Sequence, residues 1–183
     1  MATLKAALPT IFLHEGRFSD DKDDKGGATN FGISLAFLKT TTDKDGDGKQ
    51  DGDLNSDGLI DIRDTKLVTD DKAAHLYDVY WWSNYQYDRI ASQDVATKIF
   101  DLAVNMGATQ AHKIAQRAVR AVNGKILKED GILGSVTFGT LNTIDMGRYL
   151  CALKSEAAGF YRSLNQPKFL KGWLNRAYSD PVK

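Results

Sequence analysis

Between two stretches with helical spacing, residues 16–34 read GRFSDDKDDKGGATNFGIS, with glycine at 16, 26, 27 and 32 and no aliphatic side chain larger than alanine before Ile33. A helix does not continue through such a segment. A short strand pair does form there, because glycine supplies the left-handed backbone that a tight hairpin needs. The segment therefore predicts a small β-hairpin set at the end of a first helix, and Glu15 closes that helix. Glutamate is scarce in the chain: Glu15, Glu129 and Glu156 stand against 21 aspartates.

Asp24 follows Glu15 by nine positions, and Thr29 follows Asp24 by five. A carboxyl on a rigid helix end facing a second carboxyl on a turn suits cleavage of a glycosidic bond. One group gives a proton to the leaving oxygen, while the other stays ionised to position water or to stabilise a developing oxocarbenium ion. Glu15, Asp24 and Thr29 are the candidate catalytic residues. Asp20, Asp21 and Asp23 lie close enough in sequence to stand in for Asp24, and Thr29 reads equally as a strand residue bonding its neighbours.

Glu15, Gly16, Phe18, Asp21, Asp24, Gly26, Gly27, Thr29, Asn30, Gly32 and Ile33 follow without gaps the signature of the glycoside hydrolase family 108 muramidases. The segment resembles that family, departing from it at Arg17, Lys22, Lys25 and Ser34, none of which removes a carboxyl or hydroxyl. Phe100-Asp101, Val104-Asn105, Gly107, Asn123, Asp130-Gly131, Gly134, Thr137 and Leu141-Asn142 resemble its C-terminal, peptidoglycan-binding-like portion, here about residues 90–178. The resemblance implies a mostly α (α+β), lysozyme-like fold: a helical lobe plus a small hairpin region. It also implies an endolysin-type N-acetylmuramidase acting on the β-1,4 bond between N-acetylmuramic acid and N-acetylglucosamine in peptidoglycan, with Glu15 as general acid. Two alternatives stay open. One is a lytic transglycosylase using the same glutamate, and the other is a non-catalytic, calcium-dependent wall-binding or secretion-accessory protein.

Residues 43–64 carry eight aspartates against three Lys or Arg in a chain of zero formal net charge, and 13 Lys or Arg against six Asp or Glu lie from Lys98 onward. Within the acidic stretch, Asp53, Asn55, Asp57, Gly58, Leu59, Asp61 and Asp64 occupy positions 1, 3, 5, 6, 7, 9 and 12 of an EF-hand-type loop. Oxygen donors at alternate positions wrap a hard cation, glycine makes the sharp turn, and residue seven offers its carbonyl. Aspartate at position 12 resembles the dockerin variant. An overlapping copy, Asp43, Asp45, Asp47 and Lys49 with Asp51, offers a second site, although Leu54 stands at its twelfth position. One structural Ca2+ is expected, with room for another, and no organic cofactor. The plain alternative is a solvated acidic loop.

Apolar periodicity predicts helices on both sides of this insertion. One is capped by Thr69, and another runs from Ser92 to Gly107. A third ends at Asn123-Gly124, with further helices near 136–141, 149–164 and 169–177. The expected organisation is a single catalytic domain over 1–183: helix and hairpin in 1–42, the calcium-loop insertion in 43–66 and a helical lobe in 67–183. Tyr77, Tyr80 and Trp81 continue one stripe and read as core. Trp82 and Tyr85 fall off it and are the candidates for stacking on sugar, with Asn105 as hydrogen-bonding partner or helix cap. Cys151, the single cysteine, reads as a small buried residue.

The basic second half favours an anionic polymer such as the bacterial wall, while its scattered charges argue against nucleic acid. His14, His75 and His112 form no zinc motif. No apolar run reaches a membrane span. MATLKAALPTIFLHEG lacks a small-residue cleavage site and is interrupted by Pro9 and His14, so it reads as a helix rather than a cleaved leader. A monomer made in a host bacterial cytoplasm and released onto the wall at lysis is expected.

Overall fold

Side-chain caps set most helix starts. Thr69 opens α4 (Asp70–Tyr77) by accepting from Lys72 N, Ser92 opens α5 (Gln93–Met106), and Asp145 opens α8 (Met146–Ser163) by accepting from Arg148 N at 2.9 Å. Each cap satisfies an amide that the first helical turn leaves without a partner. Gly107 and Gly124, at φ +86° and +74°, end α5 and α6 (Ala108–Asn123). The remaining helices are α1 (Leu4–Glu15), α2 (Leu35–Leu38), α3 (Ile62–Lys66), α7 (Ser135–Leu141) and α9 (Pro167–Tyr178). The one sheet among the described residues pairs β1 (Thr29–Asn30) antiparallel with β2 (Ile33–Ser34). This computed structural model describes residues 1–16, 18–19, 28–44 and 46–183. The mostly helical architecture with one small hairpin is the one expected.

The chain divides into two compact units, one of Met1–Thr10 with Trp81–Lys183 and the other of Ile11–Tyr80. In the first, the helical unit, α5 is the central element: Val95, Ala96, Ile99, Phe100 and Leu102 have no exposed surface. Ala111, Ile114, Ala115 and Ala118 of α6 and Tyr149, Leu153 and Ala157 of α8 are equally buried. Small residues on the buried face of α6 permit close helix approach, and Tyr149 closes the space by donating its hydroxyl to Ala115 O at 2.8 Å.

A polar cluster lies inside this unit. Arg176 Nε and a terminal nitrogen reach Asp101 Oδ1 at 3.0 and 2.9 Å, and Lys98 Nζ donates to the carbonyls of Arg176 and Ser179. Burial pulls the Lys98 ammonium down to about 8, while Asp101 pulls it back up. These bonds fasten α9 to α5.

His112, 1% exposed, accepts from the Tyr87 hydroxyl at 2.7 Å through Nε2 and donates from Nδ1 to Gly131 O at 3.0 Å. Both bonds suit the neutral ring, and burial lowers its pKa from 6.5 to about 4. The unfolded imidazole takes its proton near 6.5, so this contribution is present above that pH and is lost as the pH falls toward 4. The full loss is about 3 kcal/mol. Melting curves between pH 7 and 4.5 should therefore fall more steeply for the wild type than for His112→Gln; equal slopes would contradict the assignment.

α1 runs through Pro9, which lies on its exposed side, as the reading of this stretch as a helix expects. Two expectations are corrected. Cys151 is exposed, because it lies two residues from buried Tyr149 and so on the opposite face of α8. Trp82 is 4% exposed, with its ring edge-on to Phe100 at 5.5 Å. Here α4 passes into a π-helical turn, Asp78–Trp82, and its extra residue rotates the stripe so that Trp82 takes the core position.

Candidate functional site

The hairpin unit holds Glu15. Gly16, at φ +72°, ends α1 after its N–H bonds Phe12 O at 3.1 Å, which leaves Glu15 half-buried at the helix terminus. The chain returns through Thr29, whose N–H and C=O each bond Ser19 at 2.8 Å, and then through β1. Register pairs Thr29 with Ser34 and Asn30 with Ile33, so Phe31 and Gly32 form a two-residue turn. Both have positive φ, 50° and 75°, as a hairpin turn matching the strand twist requires.

A phenylalanine at positive φ is strained, and its surroundings hold it there. Its ring is 8% exposed and meets Phe12 edge-on at 5.4 Å, and its carbonyl accepts from the buried Tyr77 hydroxyl at 2.9 Å. Asn30 Nδ2 donates to Val68 O at 2.9 Å, fixing the neighbouring strand residue. The outcome concerns Gly32. A Cβ built there would lie 2.5 Å from Glu15 Cγ, 2.8 Å from Glu15 Cβ and 2.5 Å from the Tyr77 hydroxyl. The stem of Glu15 thus rests on the bare backbone of the turn, next to a phenol oxygen. Such packing restricts the glutamate's rotamers and presents its carboxyl in a fixed place, as a proton donor needs.

Asp24 lies outside the described residues, as do Arg17 and the rest of residues 20–27. Thr29 is half-buried on β1. In the helical unit Tyr85 is half-buried, with its ring edge-on to His112 at 5.0 Å. Trp82 is enclosed by Tyr87 and Phe100 and has no open face for a sugar in this arrangement. Asn105 is exposed and accepts from the Tyr161 hydroxyl at 2.7 Å.

The acidic loop turns its oxygens inward onto its own backbone. Asp53 accepts from Asp57 N and Gly58 N at 3.1 and 2.9 Å, Asn55 from Asp57 N at 2.8 Å, and Asp57 from Leu59 N at 2.9 Å. Asp64, fully buried, accepts from Leu54 N, Asn55 N and Asp61 N. Asp61 and Asp64 also form a capping box at the start of α3, a helix that apolar periodicity does not announce. Arg63 meets Asp57 at 2.9 Å and Asp61 at 2.8 Å, holding the Asp61 carboxyl below its ordinary value. In the overlapping copy, Asp43 accepts from Gly46 N and Gly48 N, and Asp47 from Lys49 N; Asp45 lies outside the described residues. The donors are all oxygen and Gly58 turns at φ +82°, which suits calcium chemically. Among the described residues no three His, Cys, Asp or Glu side chains converge closely enough to hold an ion, and Arg63 holds two of the donors.

The sequence family described as Glycosyl hydrolase 108 matches residues 8–107, which include Glu15, the hairpin and the acidic loop. Among 11 matching chains of solved structures is Brucella abortus SagA, 26% identical, with a TM-score of 0.73 over 95% of this chain and 88% of that one. No curated protein matches.

Proposed function

This chain belongs to the glycosyl hydrolase 108 family, and on that premise we propose that it is an N-acetylmuramidase with Glu15 as general acid. Its bond is the β-1,4 link from N-acetylmuramic acid to N-acetylglucosamine in peptidoglycan. The supporting observation is the seat of Glu15, a helix-terminal carboxyl whose stem is pressed onto Gly32 beside the Tyr77 hydroxyl. Glu15 gives its proton to the leaving glycosidic oxygen as the sugar gains oxocarbenium character. Asp24 and Thr29 then position the water that completes hydrolysis.

Mass analysis of the fragments released from purified peptidoglycan tests this assignment. Ordinary reducing muramic ends are expected; 1,6-anhydro ends would move the enzyme to the lytic transglycosylases, and the absence of fragments would remove the catalytic reading.

Calcium is the structural partner in this proposal, held by Asp53, Asn55, Asp57, Asp61, Asp64 and the carbonyl of Leu59. The ion would supply charge neutralisation to this acidic loop, with Asp57 and Asp61, now paired with Arg63, among the residues that would hold it. An ion bound 100-fold above its dissociation constant stabilises the fold by about 2.7 kcal/mol. Millimolar calcium should accordingly raise the melting temperature by several degrees over an EDTA-treated sample, with the rise abolished in Asp53→Ala. An identical melting temperature in both solutions would show that the loop binds no calcium.

A further inference from the structure

Tyr77 closes α4 and is wholly buried, so its phenol needs a hydrogen-bond partner that a phenylalanine in the same place would not. That partner is the carbonyl of Phe31, 2.9 Å away in the hairpin turn. The Tyr77 ring lies 6.4 Å from that of Phe12, which in turn meets the Phe31 ring at 5.4 Å. Apolar packing accounts for the ring and leaves the hydroxyl unexplained. Its oxygen lies where the turn meets the end of α1: the place of a Cβ on Gly32 is 2.5 Å from it and 2.5 Å from Glu15 Cγ. Phe12 stands three residues before Glu15, so one face of α1 carries both side chains.

The turn needs to be held. Phe31 sits at φ +50°, a conformation that persists for such a residue only where its neighbours over-determine it. Two bonds supply the hold: Tyr77 donates to Phe31 O, and Val68 O accepts from Asn30 Nδ2 at 2.9 Å. Residues 68 and 77 bracket α4, which thereby braces two adjacent hairpin residues. All of these residues belong to the hairpin unit. We infer that Tyr77 is a positioning residue for the reaction: its hydroxyl keeps the strained turn closed, and the closed turn fixes the stem of Glu15. The inference rests on the assignment of Glu15 as proton donor and places the control of that group on a different helix.

Tyr77→Phe keeps the ring and deletes only the oxygen. Well below its melting temperature it is expected to lower kcat about 10-fold and to leave KM within about twofold, because a displaced donor is felt as the bond breaks. Tyr80→Phe is the structural control: it also deletes a phenol bonded to a backbone carbonyl, that of Thr42 at 2.9 Å, and to Asp51 at 2.7 Å. It should lower the melting temperature and keep the wild-type kcat. The second readout is independent of turnover. The chain has three glutamates, so glutamate labelled with 13C at Cδ gives three side-chain signals, and the one lost in Glu15→Gln belongs to Glu15. Tyr77→Phe should move that signal and leave those of Glu129 and Glu156 in place.

An unmoved Glu15 signal overturns the inference whatever happens to turnover, as does wild-type kcat in Tyr77→Phe. Equal losses of kcat in Tyr77→Phe and Tyr80→Phe assign the effect to general loosening and overturn it as well. All three results leave the hydrolase assignment standing. A wild type that releases no fragments from peptidoglycan overturns that assignment, and the catalytic role of Tyr77 falls with it even where the carbon signal moves.

Discussion

Glu15→Gln releases soluble muropeptides about 10²- to 10⁴-fold more slowly than the wild type, the range over which a positioned proton donor contributes. Glutamine fills the same space, so the stem contacts with Gly32 and the neighbouring Tyr77 hydroxyl survive and the melting temperature stays within a degree or so. The loss falls on kcat, because proton donation matters only as the glycosidic bond breaks. A variant that kept wild-type turnover would require the acid to be another group, and the helix-end position of Glu15 would then be structural.

Gly32→Ala has the next largest effect, through two separable causes. At φ +75° any L side chain strains the backbone by about 1–2 kcal/mol. In addition, the new methyl would lie 2.5 Å from both Glu15 Cγ and the Tyr77 hydroxyl, so one of them must move. Gly124→Ala isolates the first cause, since Gly124 has nearly the same φ, +74°, with nothing within 4 Å of an added Cβ. We expect Gly124→Ala to cost about 1 kcal/mol of stability with full activity. Gly32→Ala should cost more and also lower kcat about 10²-fold, the penalty for displacing a catalytic group by about 1 Å. Full kcat in Gly32→Ala below its melting temperature would show that Glu15 does not depend on the turn.

Glu15 at a helix end and a hairpin after it were legible because glycine spacing and periodicity are local signals. The helix starts at Thr69 and Ser92 are local too. The seat beneath Glu15 was not, since Tyr77 joins it from 45 residues beyond Gly32, and no spacing rule links a glycine to a distant phenol. Trp82 was misplaced because a π-helical turn inserts one residue without any sequence mark, turning the stripe by about 100°. In the acidic loop, Asp61 and Asp64 answer equally to a cation pattern and to a capping box. Composition alone does not separate these uses.

The Asp101–Arg176 pair joins residues 75 positions apart, at 0% and 7% side-chain exposure. Removing either partner takes a buried opposite charge away from the other, at a cost of up to about 3–5 kcal/mol, whereas replacing both with apolar groups of similar volume can be neutral or stabilising. Single-step drift at either site is therefore blocked, although the fold itself would tolerate the exchanged pair. Descendants of this chain should keep both residues or lose both together, and α9 should diverge in step with the centre of α5.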